Sequence, residues 1–323
     1  MVGASAGGVE ALDQLVSGFP AELPAAVFVV LHMPASGRSL LPAILQRAGE
    51  LPASVPEDGE RVERGHIYVA PPDRHLLLVG QQVRLASGPR ENGHRPAIDP
   101  LFRSAARTYG SRTVAVVLSG NLDDGAAGAR LVKERGGVVL VQDSEDALYP
   151  DMPDSAAAVT DVDARLPVAE MAGAICSLLE EAVPRGGEVD LEELEERASE
   201  ELAAAEMAVE GEPTELACPE CGGPLWERNE GPLVRFACRV GHVFSPESMV
   251  AEHGKELERA LWSARRSLEE RADLYRRLSR RATGRATIQR RFDDRSQAAE
   301  RHALALRDAI AKLTASGELE EVS

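Results

Sequence analysis

Apolar and helical stretches alternate regularly over the first 184 residues of the chain. Short β-rich apolar runs occupy 27–31, 66–70, 113–119 and 137–142, and amphipathic helical stretches occupy 39–48, 100–110, 126–136 and 167–183. Such alternation is typical of a mostly parallel, doubly wound sheet with helices on both faces, so we predict an α/β fold. The segment LLLVGQQVRLA at 76–86 predicts a β-hairpin with Gly80 in its turn.

Three further parts follow this α/β pattern, and we divide the chain at 1–184, 185–213, 214–245 and 246–323. Residues 185–213 are strongly acidic and predict a linker or a solvated helix. Residues 214–245 form a short segment that is rich in Gly and Pro and contains paired cysteines. Residues 246–323 are rich in Arg, Glu, Leu and Ala with helical periodicity, which predicts a helical hairpin or coiled coil broken near Gly284.

Composition narrows the classes of function. The 323 residues carry a formal net charge of -17 and only 4% aromatic residues, so we expect no binding to nucleic acid. No apolar run reaches the ~20 residues of a membrane span, and the first residues lack the pattern of a secretory signal. We therefore expect a cytoplasmic protein without membrane insertion.

The segment Gly3-Ala4-Ser5-Ala6-Gly7 has the G-x-S-x-G pattern of a tight turn that exposes a serine hydroxyl. A dinucleotide-binding glycine loop is a second interpretation, but it requires an acidic residue after the next strand. The sequence has His32 there, which favours a serine nucleophile. A simple helix cap is the third interpretation of Ser5. Only two residues precede this turn, so we expect a truncated first strand or a start codon assigned too late.

A serine, a histidine and a carboxylate each follow a predicted strand. Ser5 follows the first strand, His32 follows the second, and Asp123 and Asp124 follow the strand at 113–119. The carboxyl ends of parallel strands form the ligand-binding edge of such sheets, so these side chains are expected to meet. We predict a triad of Ser5, His32 and one of these two aspartates, since triads are defined by geometry rather than by chain order.

Six motifs, in order over residues 2–158, resemble the catalytic domain of CheB-type protein-glutamate methylesterases. They are VGASAGGVEAL, VVLHMP, APPDRHL, IDPLFRSAA, VVLSGNLDDGAAG and VVLVQD…DMPDSAA. The resemblance implies hydrolysis of glutamyl methyl esters on methylated chemoreceptors, and also glutamine deamidation. In this family a receiver domain that gates the active site commonly precedes the catalytic domain. No such domain is seen in these residues, so we expect the activity to be controlled in another way or not at all.

The resemblance also assigns roles to individual residues. Ser5 is the implied nucleophile, His32 the general base and Asp124 the residue that orients it. Backbone N–H groups near Ala6 and Asn121 are expected to hold the oxyanion. We expect Met33 and Arg103 to line the substrate cleft, and His75 to be structural or cleft-lining.

The sequence departs from the family pattern at the predicted oxyanion site and nearby. Ala6 replaces a usual Thr, Asn121-Leu122 replaces Met-Gly, and Asp151 replaces the Gly of a Gly-Met-Pro motif. Asn121-Leu122 and the short first strand support an alternative function, a non-catalytic signalling scaffold that retains the fold and binds partners through its C-terminal parts.

The cysteines have the spacing of a metal site. Cys218-x2-Cys221, sixteen residues, and Cys238-x3-His242 supply three thiolates and an imidazole, a set that suits structural, tetrahedral zinc. Reduced cysteines in a small core are the alternative, and Cys176 is expected to be an ordinary core residue. We expect the zinc module and the helices to dock a partner; alternatively, the helices form a homodimer or cover the module.

Overall fold

The computed structural model describes residues 1–37, 39–182 and 211–315. Most of the predicted acidic linker at 185–213 lies outside these residues. The chain forms two compact units, Met1–Ser248 and Met249–Ser323, which are described separately. The four-part division predicted from composition stays a prediction.

The first unit contains a seven-stranded, fully parallel sheet. Its strands are β1 Val2–Ala4, β2 Val27–Leu31, β3 Ala53–Ser54, β4 Ile67–Val69, β7 Val114–Val117, β8 Val138–Gln142 and β9 Ala164–Leu166. Two further strands, β5 His75–Val79 and β6 Gln82–Ala86, form a separate antiparallel hairpin. The order in the sheet is β3-β4-β2-β1-β7-β8-β9, with the hairpin outside it. The hairpin turns at Gly80, as the sequence predicts, with φ of 56°.

Six helices cover the two faces of this sheet. They are α1 Gly8–Ser17, α2 Leu41–Ala48, α3 Ile98–Tyr109, α4 Ala126–Glu134, α5 Asp151–Val159 and α6 Val168–Ala182. One core cluster joins the sheet to α1, α2 and α6, and a second cluster joins its other face to α3, α4 and α5. The predicted α/β class is therefore confirmed. Helix α3 begins at Ile98, two residues before the predicted start, because Pro100 is tolerated in a first helical turn.

Strand β1 has three residues but lies at the centre of the sheet. It pairs with β2 on one side and with β7 on the other, and all three of its residues are buried. On one side of β1 the sheet continues with β2, β4 and β3, and on the other side with β7, β8 and β9. The carboxyl end of β1 is thus a topological switch point, where open α/β sheets bind their ligands.

A four-stranded antiparallel sheet, here called the ribbon, completes the first unit. Its strands are β10 Glu212–Ala217, β11 Pro224–Glu230, β12 Leu233–Cys238 and β13 Val243–Phe244, in that spatial order. The ribbon corresponds to the small Gly- and Pro-rich segment in which the sequence places the zinc module.

The second unit is a helical hairpin. Helix α7 runs over Pro246–Arg281, its first three residues belonging to the first unit, and α8 runs over Ala286–Ala315. Gly284 lies between them with φ of 81°, and Tyr275 stacks on Phe292 with ring centroids 6.3 Å apart. The predicted hairpin and its break are confirmed, whereas dimerisation stays a prediction. None of the described helices is both long and apolar enough to cross a membrane.

The central strand has no room for a side chain at Gly3. A Cβ there would lie 2.4 Å from Ile98 Cγ2, so we expect Gly3→Ala to lower the free energy of unfolding by about 1–3 kcal/mol. Gly173→Ala in α6 is the control, since nothing lies within 4 Å of its added Cβ, and we expect no loss of stability. Urea unfolding of both variants measures the effect, and equal stabilities would contradict this packing.

Candidate active site

Ser5 lies in a tight turn between β1 and α1. Its N–H donates to the Ser119 carbonyl at 2.9 Å, and the Gly8 N–H donates to the Ser5 carbonyl at 2.9 Å. Gly7 has φ of 71°, and a Cβ there would lie 2.8 Å from Ser119 Oγ. Positive φ and close approach therefore both require glycine. The turn holds the serine at the switch point of the sheet.

Ser5, His32 and Asp124 form one hydrogen-bonded chain. The Ser5 Oγ lies 3.1 Å from His32 Nδ1, and His32 Nε2 lies 2.7 Å from Asp124 Oδ2. An ionised carboxylate only accepts hydrogen bonds, so Nε2 carries the ring proton and leaves Nδ1 to accept from the serine. The structure thus brings together all three residues of the predicted triad. Such an arrangement can activate a hydroxyl as a nucleophile.

The Asp124 side chain is 2% exposed and is surrounded by donors. Its Oδ2 also accepts from the Ile98 N–H at 2.7 Å, and its Oδ1 accepts from the Asp99 N–H at 3.2 Å and from Asn92 Nδ2 at 3.0 Å. Burial alone raises the pKa of Asp124, but the hydrogen bond and charge of His32 and the Ile98 N–H outweigh it, so this pKa is held far below its usual value. The aspartate is therefore ionised and fixed in place.

Two residues at this site were assigned no role from the sequence. Asn92 bridges two carboxylates, because its Nδ2 also lies 3.3 Å from Asp99 Oδ2. His94 stacks on the His32 ring with centroids 3.7 Å apart and planes 7° apart. Both lie in the irregular loop before α3, where no periodicity marks them. In the sequence, both residues are marked only by their position a few residues before the IDPLF motif at 98–102.

A buried ion-pair cluster lies beside the aspartate. Asp99 is fully buried, and its Oδ2 accepts from Arg235 Nη2 of β12 at 3.0 Å. Burial raises the pKa of Asp99, and the charge of Arg235 opposes that rise. Glu91 Oε1 accepts from Arg103 Nη2 at 2.6 Å. Burial would raise the pKa of Glu91, but the charge and hydrogen bond of Arg103 outweigh it and lower this pKa.

Four predicted site residues remain, and the structure places them in three different surroundings. Ala6 directly follows the serine, and the turn before Asn121 approaches it, since a Cβ on Gly120 would lie 2.8 Å from Ser5 Cβ. Met33 packs against the core cluster on the α1 face. Arg103 lines a cleft of about 760 Å³ that ribbon residues also line. Roles for these four residues in binding substrate stay predictions.

His75 is 4% exposed and spans two loop segments. Its Nε2 donates to the Pro89 carbonyl at 2.9 Å, and its Nδ1 accepts from the Ala97 N–H at 3.3 Å. Burial lowers its pKa, which favours the neutral ring that this pairing requires. These contacts agree with the structural interpretation of this histidine.

The four predicted metal ligands meet at the end of the ribbon. Atoms of Cys218, Cys221, Cys238 and His242 that could bind a metal all lie within 4.8 Å of one another. His242 Nδ1 lies 3.5 Å from Cys238 Sγ and 3.6 Å from Cys218 Sγ, and the Cys221 and Cys238 sulfurs are 3.7 Å apart. Zn–S bonds of ~2.3 Å place sulfurs of a tetrahedron ~3.8 Å apart, so the donor set and its spacing both fit zinc.

Comparisons with known proteins match the region of the chain that contains this site. The family described as CheB methylesterase matches residues 1–175. A protein-glutamate methylesterase/protein-glutamine glutaminase 2 of Methanosarcina mazei is 37% identical over 186 residues, which cover 55% of this chain and 51% of the relative. A corresponding protein 4 of Myxococcus xanthus is 40% identical over 151 residues, covering 46% and 43%. The chain therefore spans about half the length of these curated relatives.

A solved structure matches the same region. The crystal structure of the Thermotoga maritima CheB methylesterase catalytic domain is similar with a TM-score of 0.53 and 35% identity. The match covers 55% of this chain and 96% of that domain. The ribbon and the helical hairpin therefore lie beyond the part that the two proteins share.

Asp123 gives this site a measurable dependence of stability on pH. Burial raises its pKa to about 6, a rise that the hydrogen bond from Ser245 Oγ opposes. The folded protein therefore favours protonated Asp123, and stability is lost as pH rises from about 4 through about 6. Asp123→Asn retains the oxygen that accepts from Ser245 but cannot ionise. We therefore expect the free energy of unfolding of Asp123→Asn to increase relative to that of wild type as the pH rises over this interval.

Urea unfolding at pH 4 and pH 7 measures this difference. Asp13→Asn, which removes an exposed carboxylate on α1, is the control for loss of a surface charge. A stability difference between Asp123→Asn and wild type that stays constant over this interval would contradict the effect of burial.

Proposed function

Because the chain belongs to the CheB methylesterase family, we propose that it hydrolyses glutamyl methyl esters on methylated chemoreceptors. The observation that carries this proposal is the hydrogen-bonded chain of Ser5, His32 and Asp124, with 3.1 Å and 2.7 Å between the paired atoms. The names of the relatives support the same activity, since they are protein-glutamate methylesterase/protein-glutamine glutaminases.

The reaction follows ordinary serine chemistry. The Ser5 Oγ attacks the γ-carbonyl carbon of the glutamyl ester while His32 Nδ1 takes the hydroxyl proton. The tetrahedral intermediate collapses, the ester C–O bond breaks, and the proton on Nδ1 passes to the methoxide, which leaves as methanol. Water then attacks the acyl-serine with His32 as base, which releases the glutamate side chain and restores Ser5. Asp124 holds the ring and stabilises the imidazolium in both halves.

The oxyanion would be stabilised by backbone N–H groups near Ala6 and Asn121. Ala6 lies in the turn two residues before α1 begins at Gly8, close to the helix end where N–H groups and the helix dipole favour negative charge. The turn before Asn121 approaches Ser5, since a Cβ on Gly120 would lie 2.8 Å from Ser5 Cβ, and this proximity supports the Asn121 N–H as the proposed second donor. Backbone donors do not require the threonine that the family has at position 6.

A glutamine amide passes through the same tetrahedral intermediate as the ester. Deamidation of receptor glutamine is therefore part of the proposal, with ammonia as the leaving group in place of methanol. The alternative, a signalling scaffold without catalysis, is favoured by Asn121-Leu122, where Leu122 has φ of 65°. The hydrogen-bonded Ser5 favours catalysis.

The Cys/His cluster is proposed to hold a structural zinc ion. Four protein ligands complete a tetrahedron, which leaves no open position for a substrate or a water. Cys218 and Cys238 each begin a turn closed by backbone hydrogen bonds, from Gly222 N–H at 2.7 Å and Gly241 N–H at 3.0 Å. Zinc would thus stabilise the ribbon and take no part in the chemical step.

Replacing the nucleophile tests the activity. We expect Ser5→Ala to lower the rate of methanol release from chemoreceptors methylated with radiolabelled methyl groups by about 10³-fold or more. Ser17→Ala is the matched control, because its hydroxyl only donates to the Gln14 carbonyl at an exposed helix end. Equal rates for wild type and Ser5→Ala would refute the esterase and favour the scaffold.

Replacing a ligand tests the zinc site. We expect the purified chain to contain zinc, and Cys221→Ser to lose most of it on dialysis against a chelator and to melt at a lower temperature, because metal affinity contributes to folding free energy. Cys176→Ala provides the control, since this thiol packs beside the α/β core and is not in the cluster. Elemental analysis and thermal unfolding give the readouts, and unchanged zinc in Cys221→Ser would exclude the assigned ligand set.

A further inference from the structure

The ribbon makes buried polar contacts with the residues that hold Asp124. Arg235 of β12 is 3% exposed, and its guanidinium donates to the fully buried Asp99 carboxylate at 3.0 Å. Asp99 in turn supplies a backbone N–H to Asp124 and shares the Asn92 amide with it. A ribbon residue is therefore two contacts away from the carboxylate of the proposed triad.

Charge balance explains why the ribbon supplies this cation. Asp99, Glu91 and Asp124 bring three carboxylates into one buried region. Arg103 pairs with Glu91, and Arg235 pairs with Asp99 while its Nη2 also lies 3.7 Å from Glu91 Oε2. Buried charges require both a partner and hydrogen bonds, so Arg235 compensates a charge adjacent to Asp124.

A second connection runs through the backbone of β13. The Asn92 N–H donates to the Val243 carbonyl at 2.8 Å, and Glu91 forms a parallel β-bridge with Val243. Val243 directly follows His242, one of the four predicted metal ligands. The position of the Asn92 side chain, and with it one hydrogen bond to Asp124, thus depends on the same turn that would hold the metal.

The segment after the ribbon contacts Asn92 from its other side. Asn92 Oδ1 accepts from the Ser245 N–H at 3.2 Å and from Ser248 Oγ at 3.2 Å. Asn92 is 2% exposed and has φ of 50°. The backbone N–H, the Nδ2 and the Oδ1 of Asn92 all form hydrogen bonds, which hold this residue at a positive φ that asparagine tolerates better than most residues. The orientation of its amide is therefore fixed by residues of both the ribbon and the following segment.

We propose that Arg235 is a positioning residue of the esterase, and that the folded ribbon is required to hold Asp124 in line with His32. This inference rests on the proposed function for its kinetic consequence. The geometric consequence is independent of any substrate, because it concerns the hydrogen bond between His32 Nε2 and Asp124 Oδ2. Truncating or loosening the ribbon leaves Asp99 without its cation and Asn92 without its anchors.

Substitutions at Arg235 in the full, zinc-loaded chain test the proposal. Arg235→Met keeps much of the side-chain length without the charge, and Arg235→Lys keeps a charge without the planar fork. Arg84→Met is the matched control, since Arg84 pairs with Asp58 at 3.0 Å on an exposed surface. The readouts are the downfield proton NMR resonance of His32 Nε2–H, kcat for methanol release from methylated chemoreceptors, zinc content and circular dichroism.

We expect Arg235→Met to retain zinc and fold, to shift or lose the His32 resonance, and to lower kcat by about 10- to 100-fold, as displacement of a catalytic group does. Arg235→Lys is expected to be intermediate and Arg84→Met to match wild type. A folded Arg235→Met with the wild-type resonance would overturn the proposal, even if its stability falls. If Arg235→Met does not fold, the His32 resonance of folded Arg235→Lys is compared with that of wild type, and an unchanged resonance overturns the proposal.

Removal of zinc from the wild-type chain provides an independent test. We expect a chelator to abolish or shift the His32 resonance, and added zinc to restore it, in the wild-type chain. A resonance that persists after the zinc is removed would overturn the requirement for the ribbon. A wild type that releases no methanol refutes the proposed function alone, because the NMR outcome still decides the positioning role.

Discussion

The ionised carboxylate of Asp124 is the feature on which the rest of the site depends. A charge that is 2% exposed is costly unless hydrogen bonds replace its lost water, and here the donors come from His32, the start of α3 and Asn92. The same demand extends outward, since Asp99 presents a second buried carboxylate beside the first. Arg235 compensates that second charge, so the ribbon contributes to the charge balance around Asp124.

The parallel sheet determines where these charges meet. Strands β1, β2 and β7 are neighbours, so the loops that follow them converge although the triad residues are up to 119 positions apart, from 5 to 124. Strand β1 needs only three residues for this purpose, because it pairs on both sides and is buried throughout. Gly3 allows Ile98 to approach this strand, which brings the donor N–H of the same residue to Asp124.

The alternation of apolar and polar residues predicts the α/β class, most of the longer elements and the hairpin at Gly80. It does not place the strands β3 and β9, which have only two and three residues, or the helices α1 and α5. The convergence of Ser5, His32 and Asp124 was also predictable, because parallel strands end at one edge whatever their separation in sequence. Spacing alone likewise predicted the four ligands of the Cys/His cluster. The contact of Arg235 with Asp99 was not predictable, since it joins residues 136 positions apart through the docking of two sheets. Periodicity reports which face of an element is buried, but not which element packs against it.

The two nitrogens of the His32 ring have different surroundings. His94 covers one face of His32 at 3.7 Å, Asp124 occupies Nε2, and the His32 side chain is 6% exposed. Within the part of the chain that the structure describes, the Nδ1 edge beside Ser5 is therefore the route for proton exchange. In the proposed esterase reaction, the departing alcohol and the incoming water would both exchange their protons with His32 at this edge, one after the other. Departure of methanol would then be a required step between the two halves of the proposed reaction.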